Sequence, residues 1–197
     1  MIKTIKALIP NKYKRNVKLF FIAVSDSVKY YIARGGMFPK SKINNIADIK
    51  RIIFVCKGNV CRSVFAEYRF KQLLNNFEIV SCGLDADQGT YPPSDSVSVC
   101  DLYSCDVKNH VSLNHRKINF QGSDLIFAME YWHYVRLVNH YPDIKDNIFL
   151  LRSISRLPSS INCNIADPYG LGIDEFKKSY KIIDQALGEL VRLIPDH

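Results

Sequence analysis

The chain has 197 residues, 47% hydrophobic and 23% charged, with a mean hydropathy near zero, the composition of a soluble globular protein long enough to bury a proper core. Its formal charge of +8 is unevenly spread: residues 1–50 hold 11 Lys/Arg against 2 Asp/Glu and carry +9, whereas residues 51–197 hold 16 against 17 and carry −1. The body therefore has no global basic face, which excludes nucleic acid as a partner, and the excess belongs to the N-terminal quarter.

Residues 1–48 read apart from the rest, as a basic extension of helical character. Between Asn16 and Arg34 apolar residues fall at Val17, Phe20, Phe21, Val24, Val28, Tyr31 and Ile32, close to helical period, and Gly35-Gly36 supply a stop. The densest apolar run, Leu19–Val24, has six residues and is followed by Ser25-Asp26-Ser27, far too short to span a bilayer. Three readings stay open: a signal peptide, a basic amphipathic helix in peripheral contact with a membrane surface, and a helix packed on the domain or on a partner. The signal peptide is disfavoured by the reactive thiolate described below, which an oxidising compartment would suit poorly. Removing residues 1–48 is expected to spare turnover of a small substrate.

From Lys50 onward strand and helix patterns alternate. The patterns predict a buried strand at Ile52–Cys56, a helix at Ser63–Asn75 and a strand at Phe77–Cys82, then a helix at Ser94–Cys105 and a strand at Leu125–Met129. A helix at Tyr131–Asn139, a strand at Ile148–Leu151 and a long helix at Gly172–Leu193 follow. Strands separated by helices imply βαβ units, so residues 49–197 are expected to form one α/β domain, a three-layer sandwich with a central four-stranded parallel sheet flanked by helices. Ligands of such sheets bind at the carboxyl ends of strands, and Cys56 stands at the end of the first.

The six cysteines (Cys56, Cys61, Cys82, Cys100, Cys105 and Cys163) do not suggest a disulfide framework in a chain of this size. Cys56/Cys61 and Cys100/Cys105 lack zinc-site spacing. A reduced, cytoplasmic protein with one reactive cysteine fits better, and the chemistry calls for no metal and no cofactor.

The run Val55-Cys56-Lys57-Gly58-Asn59-Val60-Cys61-Arg62-Ser63 carries that chemistry. A thiol is a weak nucleophile at neutral pH unless its thiolate is stabilised; here the N-terminus of the helix that begins near Arg62, and the Arg62 guanidinium, both favour an anion. The intervening loop can curl its N–H groups into a nest for a phosphate-sized anion. Gly58 permits close backbone approach, and Asn59 tolerates the left-handed conformation a tight loop needs. Arg62 offers a planar fork for two phosphoryl oxygens, and Ser63 can donate to the sulfur.

The stretch Phe54-Val55-Cys56-x-Gly58-Asn59-x-Cys61-Arg62-Ser63-x-x-Ala66-Glu67 closely resembles the phosphate loop of the low-molecular-weight protein-tyrosine phosphatases. The resemblance continues through Ser81-Cys82-Gly83, Asp106 with His110, Ser123–Met129 and Asp167-Pro168-Tyr169-Gly170, in one consistent order over residues 51–194. It implies that Cys56 attacks phosphorus to give a phosphocysteine, that Arg62 binds the phosphoryl oxygens with the loop Lys57–Cys61 and Ser63, and that Asp167 protonates the leaving phenolate and then activates water. It also implies that Ser81 and His110 support the loop with Asn59, that Tyr169 walls an aromatic slot, and that Cys61 can form a disulfide with Cys56 and shield it from over-oxidation. Val64 stands where the family usually has Pro, Cys82 where it has Ala, and Leu113 where many members have Arg.

Two other activities share this fold and loop. Arsenate reduction needs further shuttling thiols, one of which follows the strand where this chain has Met129. Protein-arginine phosphatases carry Thr just before the second loop cysteine, where apolar Val60 suits a phenyl ring. The resemblance makes a phosphotyrosine-containing protein the expected substrate, and for bacterial members that substrate is often a tyrosine kinase of polysaccharide export.

Overall fold

We analysed a computed structural model that describes residues 11–35, 48–156 and 159–194; Gly36 and much of the 1–48 segment lie outside these. A four-stranded parallel sheet in the order β2-β1-β3-β4 is formed by β1 (Arg51–Cys56), β2 (Glu78–Gly83), β3 (Asp124–Ala128) and β4 (Ile148–Leu150). The α/β three-layer expectation holds. Alternation along the strands divides the core in two. Ile52, Phe54, Leu125, Phe127 and Phe149 face a layer built from α2 (Arg62–Leu73), α3 (Ser94–Asp101) and α5 (Ile173–Val191). Ile53, Val55, Ile126, Ala128, Ile148 and Leu150 face α1 (Asn11–Arg34) and α4 (Tyr131–His140).

The N-terminal helix is thus part of the body. Tyr30 and Tyr31 enter the second core, the Tyr30 hydroxyl accepts from Leu150 N at 3.3 Å, and the buried Arg34 donates to the Lys145 and Asp146 carbonyls and lies 4.2 Å from the Phe149 ring centroid. Its preceding turns expose Leu19, Phe20, Phe21 and Ile22, and farther along Val28 and Ile32. No described helix is long and apolar enough to cross a membrane.

Most elements end within two residues of their expected bounds, and one stops well short. The helix expected to reach Cys105 ends at Asp101, because Ser104 turns left-handed (φ 57°) and its N–H bonds to Asp101 O while Cys105 N–H bonds to Cys100 O. This is the paired closure that stops a helix when one residue goes left-handed.

Candidate active site

The site lies at the carboxyl edge of the sheet, where β1 runs through the loop Lys57–Cys61 into α2. Cys56 is 2% exposed. Its Sγ lies 3.0 Å from Ser63 Oγ and accepts from Asn59 N at 3.3 Å, so a hydroxyl and a backbone N–H both approach the sulfur. Asn59 adopts φ 52°, the left-handed turn expected of it. Its Nδ2 donates to Ser63 Oγ (3.0 Å) and Ser81 Oγ (2.7 Å), and its Oδ1 accepts from Leu113 N (2.8 Å) and meets His110 Nε2 at 3.2 Å. Ser81 donates on to Glu67 (2.6 Å), which pairs with Lys71. Asn59, Ser63, Ser81, Glu67 and His110 are all buried, and each makes at least one hydrogen bond within this network. That satisfies the condition under which a buried network stiffens a loop. His110 is pushed toward its neutral form, chiefly by burial. Leu113 takes part through its backbone, its N–H donating to Asn59 Oδ1 and its carbonyl accepting from Gly83 N at 2.8 Å, so these contacts do not depend on the side chain at 113.

The close backbone approach expected of Gly58 falls instead to Gly83. A Cβ on Gly58 would meet only Val60 Cγ2, at 3.7 Å, whereas a Cβ on Gly83 would stand 2.6 Å from Lys57 O and 2.8 Å from both Asn59 N and Gly58 C. Close approach is therefore demanded of Gly83, at the end of the neighbouring strand. Lys57 is exposed, Val60 is half-buried with its carbonyl accepting from Ser96 Oγ at 3.4 Å, and Val64 is fully buried.

Arg62, at the first position of α2, is 1% exposed. Its Nη1 donates to Glu130 Oε1 (2.5 Å) and the Ile165 carbonyl (2.9 Å), and its Nη2 meets Asp167 Oδ2 at 2.8 Å. Burial works against the charge, but Cys56, Glu130 and Asp167 outweigh it and hold the guanidinium more firmly protonated than usual. Cys61 is also pushed upward, by burial and then by Cys56, so it keeps its proton. Asp167 is partly exposed and accepts from Tyr169 N at 3.3 Å through Oδ1. The Tyr169 side chain is exposed beside it. All six cysteines are free thiols.

Glu130 is the site residue that sequence reasoning missed. It caps α4 in a reciprocal arrangement with His133, whose Nδ1 accepts from Glu130 N at 3.0 Å, although Glu-x-x-His is not the usual capping pattern. Nothing local announces its second task, holding an arginine 68 residues earlier. His133, fully buried beneath it, is kept neutral by burial and by Arg62, Arg136 and Lys57.

Comparison with known proteins was consistent with this geometry. A protein of Staphylococcus haemolyticus, the low molecular weight protein-tyrosine-phosphatase PtpB, is 33% identical over 141 residues, 71% of this chain and 96% of its own. The protein-arginine-phosphatase of Bacillus subtilis is 26% identical over 150 residues, 72% of this chain and 94% of its own. Among solved structures, a low molecular weight protein tyrosine phosphatase from T. tengcongensis superposes with a TM-score of 0.65 at 31% identity, covering 73% of this chain and 98% of that one. The model of the family described as low molecular weight phosphotyrosine protein phosphatase matches residues 51–196, and this chain belongs to that family.

Proposed function

We propose that the chain hydrolyses phosphotyrosine in proteins through a phosphocysteine intermediate, with Cys56 as nucleophile, Arg62 as the phosphoryl-binding residue and Asp167 as general acid and base. The observation that carries this reading is the meeting of a buried guanidinium and a partly exposed carboxylate at 2.8 Å beside the loop that begins at Cys56. The bound phosphoryl group takes over Arg62 and the loop N–H groups, which releases the Asp167 carboxyl toward the leaving oxygen. The Cys56 thiolate attacks phosphorus, the P–O bond to the ring breaks, and the Asp167 proton goes to the departing phenolate. Water then attacks the phosphocysteine and gives its proton to Asp167; the P–S bond breaks, releasing phosphate and the thiolate. General acid help of this kind is worth about 10²–10⁴-fold.

Val60 supports tyrosine over arginine, since it offers the loop an apolar side chain and no hydroxyl. Arsenate reduction is disfavoured because Met129 occupies the position of a shuttling thiol and Cys100 and Cys105 are buried. The substrate proposed is a phosphotyrosine protein, a tyrosine kinase of polysaccharide export in particular, reached in the cytoplasm. Peripheral membrane contact belongs to the same proposal: α1 exposes Leu19, Phe20, Phe21, Ile22, Val28 and Ile32 within a segment carrying +9, which fits the apolar boundary and negative charge of an anionic bilayer. In the test of the activity, Cys56→Ser abolishes hydrolysis of aryl phosphates, and Asp167→Asn loses kcat/KM mainly on poor leaving groups. Activity retained by Cys56→Ser would refute the mechanism. A preference for phosphoarginine over phosphotyrosyl peptides would refute the substrate.

A further inference from the structure

The family match begins at residue 51, yet α1, which precedes it, bonds directly to the segment that carries Asp167. Residues 162–168 form neither helix nor strand, so their backbone groups need partners from elsewhere. One backbone group of this segment, a side chain within it and a carbonyl just before it find their partners on α1. Ser27, 2% exposed, donates to Ala23 O at 2.8 Å and accepts from Cys163 N at 2.8 Å. Asp26 Oδ2 accepts from Asn164 Nδ2 at 3.1 Å, and the Tyr31 hydroxyl donates to Ser160 O at 2.7 Å. From Asn164 the contacts run straight into the site. Asn164 Oδ1 accepts from Tyr131 N (2.7 Å), next to Glu130. Ile165 N donates to Met129 O (2.8 Å), and Ile165 O accepts from Arg62 Nη1 (2.9 Å). Two residues later Asp167 meets Arg62 Nη2.

We propose that α1 positions the general acid: Asp26, Ser27 and Tyr31 hold residues 160–164 so that Asp167 reaches the leaving oxygen. The proposal rests on Asp167 acting as that acid. Cys163 is fully buried, so without Ser27 its N–H is left unpaired or the segment opens to water. A general acid works only at the right separation from the proton's destination. The helix acts through the segment and touches no reacting atom, so Asp26, Ser27 and Tyr31 are positioning residues. On this proposal, removing residues 1–48 impairs turnover of a small substrate with a poor leaving group, contrary to the expectation from the sequence.

The experiment uses the full chain and compares kcat/KM for phenyl phosphate, a poor leaving group, with that for p-nitrophenyl phosphate, a good one. Inorganic phosphate serves as a competitive inhibitor that reports on the loop alone. For Ser27→Ala and Asp26→Ala the expected result is about a tenfold loss on phenyl phosphate, less than about threefold on p-nitrophenyl phosphate, and an unchanged phosphate inhibition constant. Asp26→Asn, which keeps an acceptor for Asn164, restores the wild-type ratio. Amide exchange at Cys163 and Ile165 rises in Ser27→Ala. A wild-type ratio of the two substrates in both alanine variants overturns the proposal, as does an equal loss on both substrates; if Ser27→Ala does not fold, the Asp26→Ala and Asp26→Asn pair decides alone. Asp167→Asn, measured alongside, separates the two levels: without a leaving-group signature of its own, the acid assignment falls first and this proposal with it.

Discussion

Gly83→Ala puts the packing of the phosphate loop to a direct test. Gly83 pairs with Cys56 in the β1–β2 register, and Leu84 N and Asp85 N bond to the Cys56 and Lys57 carbonyls at 3.0 and 2.8 Å, so strand and loop cannot separate freely. A methyl at Gly83 would sit 2.6 Å from Lys57 O, where ordinary contact begins near 3.4 Å. The loop backbone must therefore retreat by about 0.8 Å, and overpacking of this kind costs about 1–3 kcal/mol. In a protein of this size that lowers the melting temperature by roughly 2–10 °C. A shift approaching 1 Å at a reacting centre costs on the order of 10²-fold, so kcat/KM for an aryl phosphate should fall by roughly 30–100-fold. Because the same N–H groups bind the ground-state anion, the inhibition constant of inorganic phosphate should rise as well. A folded Gly83→Ala protein with wild-type phosphate affinity and turnover would refute the view that this strand holds the loop in place.

Three further outcomes follow from the same geometry. Glu130→Ala removes both a charge partner of buried Arg62 and the α4 cap, and should cost about 2–4 kcal/mol in thermal unfolding. Glu130→Gln keeps the cap acceptor and should cost about 1–2 kcal/mol, so equal melting of the two variants would show that the charge contributes nothing. The second concerns pH. His110, His115 and His133 are buried with lowered proton affinity, His115 down to about 4 by burial and then by His140, Arg116 and Arg136. The unfolded chain therefore binds more protons below about pH 6.5. Stability should be constant above that value and fall as the pH drops toward the folded-state values. His115→Gln should flatten the slope measured between pH 7 and 5, and an unchanged slope would refute the assignment. Third, vesicles with anionic lipid should bind the full chain in a salt-sensitive manner, and Phe20→Ser with Phe21→Ser should weaken binding without altering aryl phosphate turnover. Equal binding to neutral vesicles would remove the electrostatic part of that reading.

Much of the site was legible because its pieces are local. Cys56, Asn59, Arg62 and Ser63 fall within eight residues, so one strand end and one helix start place them together, and the alternation of strand and helix places that junction at the carboxyl edge of a parallel sheet. Asp167-Pro168-Tyr169 was legible only through the family pattern, since an Asp-Pro turn is common and its closeness to Arg62 is a product of the fold. Glu130 was not legible at all, because glutamate is not a usual N-cap and its partner Arg62 lies 68 residues away in the sequence. The end of α3 escaped the pattern for a different reason: one left-handed serine outweighs continuing apolar periodicity.

What the sequence by itself determined is an alternating α/β chain with a thiol, an asparagine, a guanidinium and a hydroxyl gathered within eight residues at one strand–helix junction, and an excess of positive charge in its first quarter. Only the tertiary structure decided that α1 packs against the sheet and bonds to the segment that leads to Asp167. Asp26 and Asn164 are 138 residues apart, and no local pattern can announce a pairing that exists only once α1 has docked against the sheet and Ser27 has taken the Cys163 N–H.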